Sequence, residues 1–503
     1  MSASHGDGLR ESYDQLPYET RARRKTHPDT LATLATVFGL TPPLVETARV
    51  LELGCGTGEN LLAIACALPG SSCVGVDFSA PQIAKAEDLA AAAGIGNARF
   101  ICSDFKELAC NQQYHYVVAH GLLSWIPPES HNDLIALCGA CLSPGGLLYL
   151  SYNALPGWHH RQVVRDYLLQ ETADIPDIAA KVPAARTALA SFAETVGKVD
   201  WAYGQIIVDE NDNVAKLGDS YLAHDLLETY NTAFYFADVV RRGAEYDLHY
   251  VGEAGFEAMV PDTYSAPIAE ALKAIPDLHD RERRLDFLTN RSFRESVFVK
   301  GRQPAKQPDQ RSLATLYVAS PLKRSAERNA DPTTIGYQSP GGTDIAVEPG
   351  VTEAALDELA TCYPEALSLE AILRRVQQAD DQPLKQDAIM ALMSSLFTAY
   401  SRGLINLHSS APRVFSTATD QPAAPALARA QAGRGTRVIT VLLENVEIND
   451  EDCLAILPHL DGQHDHARLA TLLSSDGGGL GQRLDVALAK LARVGLLTEP
   501  QTT

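Results

Sequence analysis

A chain of 503 residues, 46% of them hydrophobic, can bury several cores, and its length predicts about three domains. Lys and Arg number 42 against 63 Asp and Glu. The net charge of −21 argues against a nucleic-acid partner, because that binding draws most of its affinity from phosphate neutralisation by cations.

No apolar run approaches the roughly 20 residues needed to span a bilayer, so no membrane insertion is expected. The opening MSASHGDGLR lacks the apolar core of a signal segment, and the expected compartment is the cytoplasm. The nine cysteines are odd in number and irregularly spaced, which predicts reduced thiols. Cys138 and Cys141 form a lone C-x-x-C with no second pair and no nearby histidine cluster, so no metal site is expected.

In chain order, Arg21-Ala22-Arg23-Arg24-Lys25 reads as a solvated segment before a helix, or as a contact for an acidic partner. THPDTLATLATVFGL (26–40) predicts a helix with Thr26 as N-cap, Pro28 in the first turn and Gly39 at the end. ARVLELG (48–54), SCVGVDF (72–78), ARFICSDF (98–105), HYVVAHG (115–121) and GLLYLSYN (146–153) predict five strands. Helical patterns such as GENLLAIACAL and SAPQIAKAEDLAAAAG separate them. Strand alternating with helix predicts right-handed βαβ units on a parallel sheet covered on both faces.

From about 160 to 240 the pattern turns helical, and HYVGEAGFEAMV and LTNRSFRESVFVKG then read as the last strands of the sheet. The helices between are expected to form an inserted cap over the sheet's carboxyl edge. Beyond 301, residues 322–342 read as loop, and LSLEAILRRVQQ with DAIMALMSSLFTAYSRGLINLHSS has the helix, helix, strand shape of a winged helix. TDQPAAPALARAQAGRGTR (419–437) reads as a low-complexity linker, after which the winged-helix theme repeats. These modules are not basic, so packing or protein contact is the expected role. The expected domains are 1–160 with 245–301 as the core, 161–244 as the helical cap, 302–418 and 438–503 as α+β winged-helix-like modules, and 419–437 as the linker.

The chemistry concentrates in VLELGCGTGEN (50–60), where Glu52, Gly54, Gly56 and Gly58 form an E-x-G-x-G-x-G run at the exit of the first strand. Glycine is needed where backbone must turn sharply and approach a ligand. Asp77, 19 residues past Gly58, ends the second strand and is placed to hold the two hydroxyls of a ribose. Asp104 ends the third strand, where an adenine amino group needs an acceptor. Cys55, Phe78, Ser103 and Phe105 share these turns, and His120 and Gly121 leave the fourth strand at the same edge. The run lacks the Lys-Ser/Thr pair of a triphosphate loop.

The alternating glycines resemble class I S-adenosylmethionine-dependent methyltransferases, and Gly54, Gly56, Asp77 and Asp104 match that family's cofactor contacts. YDQLPYET, AHGLLSWIPP, SYNALPGWHHRQVVRDYLL and YLAHDLLETYNTAFYF look like the bacterial members that carry a methyltransferase regulatory domain. That similarity is close over about 1–300 and in outline beyond. It implies an α/β, Rossmann-like fold, S-adenosyl-L-methionine as cofactor, a protein-lysine acceptor of the cell envelope, and a homodimer through the inserted helices. One departure is Tyr114-His115-Tyr116, where the superfamily commonly has an Asp before the fourth strand; His115 reads as structural.

HGLLSW (120–125) and SYNALPGWHH (151–160) begin at the strand ends where ligands sit in open parallel sheets. Tyr152 and Asn153 are the expected orienting groups for the acceptor. Trp158 is expected to wall the substrate channel, or else to anchor the loop on the inserted helices. His159 and His160 read as loop histidines, Tyr13 and Tyr18 as part of a lid over the cofactor, and His224 as a packing residue. Two alternatives stay open beside protein-lysine methylation: a methyltransferase for a small molecule or lipid, and a catalytically idle fold used for binding.

Overall fold

The computed structural model describes residues 12–16, 18, 20–325, 331, 333–379, 384–474 and 479–500. Residues 1–11, Pro17 and Glu19 of the expected lid, and 326–330 and Pro332 of the expected loop, lie outside the described residues.

The central sheet contains β1 (Arg49–Leu53), β2 (Ser72–Asp77), β3 (Ala98–Cys102), β4 (Tyr114–Ala119), β5 (Leu142–Ala154), β6 (Ala233–Phe234), β7 (Leu248–Glu253) and β8 (Phe293–Lys300). Its order is β3-β2-β1-β4-β5-β8-β7, with β6 continuing beside the end of β5. β1 and β4 are buried along nearly their whole length because helices cover both faces of the sheet. The chain leaves β1 toward β2 on one side and places β4 on the other, so the glycine loop lies at the topological switch point.

The expectation of a wholly parallel sheet is corrected at one edge, where β8 pairs antiparallel with both β5 and β7. Helices Ala266–Lys273 and Leu278–Thr289 lie between β7 and β8, and Asn290 in the left-handed region (φ 51°) turns the chain into β8. An antiparallel return needs no crossover spanning the sheet. Buried Arg294 holds this edge, pairing with Glu253 on β7 at 2.5 Å and with Asp286 on the preceding helix at 2.8 Å.

The N-terminal helix is Pro28–Val37, and its cap is His27, whose side chain accepts from the Asp29 N–H. Thr26, expected in that role, instead donates its hydroxyl to the Arg23 carbonyl at 2.7 Å within a short turn. Helices Trp158–Glu171, Ile178–Val196 and Ala202–Ala215 follow β5 and share a core of their own that includes Val164, Leu189, Ile207 and Leu226. A short helix, Asp219–Leu222, then widens into a π-helix over Ala223–Leu227.

The expected linker is ordered where it meets the core. Helix Ala426–Ala432 buries Leu427 and Ala428 and packs against Ala80–Ala93, and Arg434 pairs with Asp88 at 3.0 Å. Low complexity was a misleading signal there, because Ala is the best helix former and packs closely. A second tie joins Asp29 to His408, Oδ2 to Nδ1 at 2.6 Å. The expectation of thiols throughout is also corrected, since Cys110 and Cys141 form a disulfide, their Cα atoms 5.4 Å apart. Cys138, the other half of the C-x-x-C, is a buried free thiol. No helix among the described residues is long and apolar enough to cross a membrane, and they contain no cluster of potential metal ligands.

Candidate functional site

A cavity of about 620 Å³ opens at the carboxyl ends of the parallel strands. One arm is built on the loop after β1. Gly54, Gly56 and Gly58 all adopt positive φ, at 72°, 53° and 75°. A Cβ on Gly56 would collide with the Thr20 side chain and stand 3.0 Å from Gln82 Oε1, so the loop stays open to a ligand only as glycine. Gly58 does not line the cavity; a Cβ there would come within 2.7 Å of Ala86 and 2.8 Å of the Phe100 ring. Its task is close helix–strand packing rather than ligand contact.

Asp77 anchors this arm. Its Oδ2 accepts the Gly56 N–H and its Oδ1 the Ser79 N–H, each at 2.9 Å. Burial raises its pKa, and these donors only partly offset the effect. Glu52 accepts from Asn60 Nδ2 at 2.8 Å through Oε1, while its buried Oε2 has no hydrogen-bond partner among the described residues. Burial pushes that carboxyl up to about 8.

Glu52, Gly54, Cys55, Gly56, Asp77, Phe78, Ser103, Asp104, Phe105, His120 and Gly121 all line the cavity. Asp104 sits on the exposed rim, its Oδ1 accepting the Lys106 N–H at 2.9 Å. His120 is buried, with Nδ1 2.9 Å from the Tyr149 hydroxyl, which itself donates to Glu295 Oε1 at 2.9 Å. Nδ1 therefore carries the proton and donates to Tyr149, and burial holds His120 neutral, well below its ordinary range.

The second arm runs under the inserted helices. Asn153 and Trp158 line it, and Tyr152 does not. Successive side chains of a strand point to opposite faces. Tyr152 therefore turns into the layer beside β8, its hydroxyl 3.2 Å from Ser296 Oγ, which corrects its expected role as an orienting group. Asn153 instead donates through Nδ2 to Asn231 Oδ1 at 2.9 Å. Trp158 is 3% exposed, with Arg161 4.7 Å over its ring. His159 and His160 are exposed, and His115 lies at the far end of β4, its Nδ1 accepting the Arg49 N–H at 3.2 Å.

The N-terminal segment crosses the cavity as a strap. The Leu16 carbonyl lies 2.5 Å from His224 Nε2, Tyr13 stacks on the His224 ring at 4.2 Å, and Asp14 accepts from Ser79 Oγ at 2.5 Å. Ser12 donates to Glu228, which also faces His224 Nδ1 at 3.1 Å. Tyr13 and Tyr18 both line the cavity, and His224 is a latch for the strap as well as a packing residue.

Of the wall residues that sequence reasoning missed, four bear on the chemistry. Arg23, within a run taken as solvated, lines the glycine-loop arm and has no ion-pair partner among the described residues. Trp125, Tyr221 and Asp225 line the other arm. Their signal lies inside the stretches AHGLLSWIPP and YLAHDLLETYN, of which the sequence reading takes only His120, Gly121 and His224.

Three families of known proteins match parts of the chain: a methyltransferase domain over residues 50–146, a predicted methyltransferase regulatory domain over 218–300, and the PKMT C-terminal winged helix domain over 420–477. The chain is 33% identical to uncharacterized protein RP789 of Rickettsia prowazekii (strain Madrid E) over 286 residues, 57% of this chain and 52% of that one. It thus spans about half the length of that relative. Uncharacterized protein RP028 of the same organism is 30% identical over 232 residues, 46% of this chain and 93% of that protein. Among solved structures, PKMT2 from Rickettsia typhi in complex with AdoHcy superposes with a TM-score of 0.83 at 25% identity, over 96% of this chain and 100% of that one.

Proposed function

We propose, from the premise that the chain belongs to the class I methyltransferases that carry a methyltransferase regulatory domain, that it is an S-adenosylmethionine-dependent protein-lysine N-methyltransferase. The observation that carries this reading is a single cavity joining the glycine loop and Asp77 to an aromatic second arm at Trp125, Trp158 and Tyr221. The likeness to PKMT2 over nearly the whole length, winged-helix module included, favours a protein lysine as acceptor.

The residues present fit the cofactor. The glycine loop faces the cavity with bare backbone at Gly54 and Gly56, and beside Thr20 there is no room for a Cβ on Gly56. Asp77 would accept from the ribose hydroxyls with its remaining lone pairs, and Asp104 from the adenine amino group. Arg23 would meet the carboxylate at the other end, and the unpartnered Oε2 of Glu52 would accept from the ammonium beside it. When bound, S-adenosylmethionine supplies an electrophilic methyl group on a sulfonium, which leaves as a neutral thioether as an amine lone pair takes the methyl.

The chain's own part is alignment and dryness. A free lysine amine has a pKa of about 10.4, so the acceptor must shed a proton before it can attack. The apolar walls disfavour its charged form and keep water out, and Trp158 with the strap narrows the approach to one line. Aromatic faces tolerate positive charge and so suit both a sulfonium and an incoming amine.

The experiment is transfer of radiolabelled methyl from S-adenosylmethionine to a fractionated cell extract. The expected result is protease-sensitive label, recovered as methyl-lysine and enriched in envelope protein. Label confined to lipid or low-mass material would overturn the lysine assignment, and no label with cofactor binding intact would overturn the enzyme assignment.

A further inference from the structure

Resting on the lysine reading, we propose that Asp225 is the carboxylate that anchors the substrate's ammonium in the second arm of the cavity. Asp225 stands on the π-helix Ala223–Leu227, and π-bulges recur at functional sites because the extra residue re-aims the side chains around it. Here the widened turn puts two adjacent residues to use. His224 meets the strap at the cavity wall, and Asp225 beside it lines the same cavity.

The turn is fixed in place from β5. Asn153 donates to Asn231 Oδ1 at 2.9 Å, and Asn231 Nδ2 donates to the Asp225 carbonyl at 2.8 Å. Few groups stand around the carboxylate: Asp225 is only 6% exposed, and Tyr221 donates its hydroxyl to it. The same hydroxyl accepts from Arg161 Nη1 at 3.4 Å. Arg161 is committed elsewhere, held by Glu210 at 2.8 Å and lying over Trp158. Asp225 has no ion-pair partner within 4.0 Å among the described residues.

Burial raises the pKa of Asp225, and the Tyr221 hydroxyl with the more distant charges of Arg161 and Arg23 offsets only part of that, so the carboxylate is left without a direct cationic contact among the described residues. A lysine ammonium supplies a direct partner for the carboxylate, and Tyr221, Tyr230 and Trp125 make the surrounding wall aromatic, which suits a cation. An anionic acceptor would meet the opposite of complementarity there. The role is recognition: Asp225 selects an ammonium-bearing side chain, and a neutral or acidic one gains nothing from it.

The test is calorimetric, with the full chain loaded with S-adenosylhomocysteine. The probes are a synthetic Gly/Ser peptide with one central lysine and the same peptide with norleucine, which keeps the length and removes the amine. The wild type is expected to prefer lysine at least tenfold, and Asp225→Asn to lose that preference while binding S-adenosylhomocysteine as before. Asp225→Glu should restore part of the preference, and Tyr221→Phe should weaken it less than Asp225→Asn. Retained preference in Asp225→Asn, or no preference in a wild type that methylates protein lysine, overturns the assignment. Absence of any protein methylation by the wild type instead overturns the functional reading beneath it. Should Asp225→Asn lose S-adenosylhomocysteine binding as well, Tyr221→Phe decides, and an unchanged preference there overturns the proposal.

Discussion

The backbone N–H of Gly56 donates to Asp77 Oδ2 at 2.9 Å, so the glycine loop after β1 and the acid ending β2 form one hydrogen-bonded unit. Asp77 thus shapes the loop as well as facing the cavity. Replacement by Ala removes the acceptor for two backbone donors, the Ser79 N–H being the other. Asp77→Ala is expected to weaken S-adenosylmethionine binding by about 1–3 kcal/mol, roughly 5- to 150-fold, the scale of a lost hydrogen-bond acceptor at a buried site. Asp77→Asn keeps one acceptor oxygen and should fall between. Calorimetric titration checks both, and unchanged affinity in Asp77→Ala removes the ribose contact.

Gly58 and Gly94 share a left-handed backbone, at φ 75° and 64°, and differ in their surroundings. A Cβ at Gly58 would press on Ala86 and Phe100, whereas at Gly94 nothing lies within 4 Å. Gly94→Ala therefore carries only the conformational penalty of about 1–2 kcal/mol, and Gly58→Ala adds overpacking of about 1–3 kcal/mol. Thermal unfolding should show the larger fall in midpoint for Gly58→Ala. Equal falls would mean that the helix and β3 yield to the added methyl.

These glycines were legible in the sequence because backbone sterics allow few residues at such turns, so the pattern and the geometry coincide. Asp77 was legible for a similar reason, since the length of one βα unit fixes where the next strand ends. Tyr152 and Asn153 show a reading that the sequence could have refined. Adjacent strand residues face opposite sides, and one cavity could not take both side chains. Arg23 and Asp225 were hidden for a different reason. The cavity's outer wall comes from a strap and an insertion far from the glycine loop in sequence, and neither charge pattern nor periodicity says where such segments fold back. A π turn leaves no signature in composition.

Glu52 links the site to pH. With its carboxyl pushed up to about 8, the folded chain keeps a proton that the unfolded chain releases near the ordinary value of about 4.3. The folded form therefore binds more protons between those values, and stability falls as pH rises through that window. Glu52→Gln, neutral at every pH, should flatten the decline in unfolding midpoint between pH 5 and 8 in the cofactor-free protein. Parallel profiles for wild type and variant would show that Glu52 ionises at its ordinary value.

Trp158 lines the cavity under the inserted helices. It lies at the start of the helix after β5, almost wholly buried, with Arg161 4.7 Å over its ring and its Nε1 without a hydrogen-bond partner among the described residues. An indole that makes no hydrogen bond contributes shape and an apolar face, and both face the second arm rather than the glycine loop. Trp158→Ala opens that wall to water and frees the approach of the acceptor, so turnover should fall by about 10- to 100-fold, the scale of misplaced reacting groups. Affinity for S-adenosylmethionine should stay within about twofold, because the contacts proposed for it gather around the glycine loop and Asp77. Trp158→Phe keeps an aromatic face over Arg161 and should recover most of the rate. The measurement is kcat with a methylated protein substrate beside a calorimetric titration of the cofactor. Equal losses in both would make the indole a support for the cofactor arm, and turnover unchanged in Trp158→Ala would leave it an anchor for the loop alone.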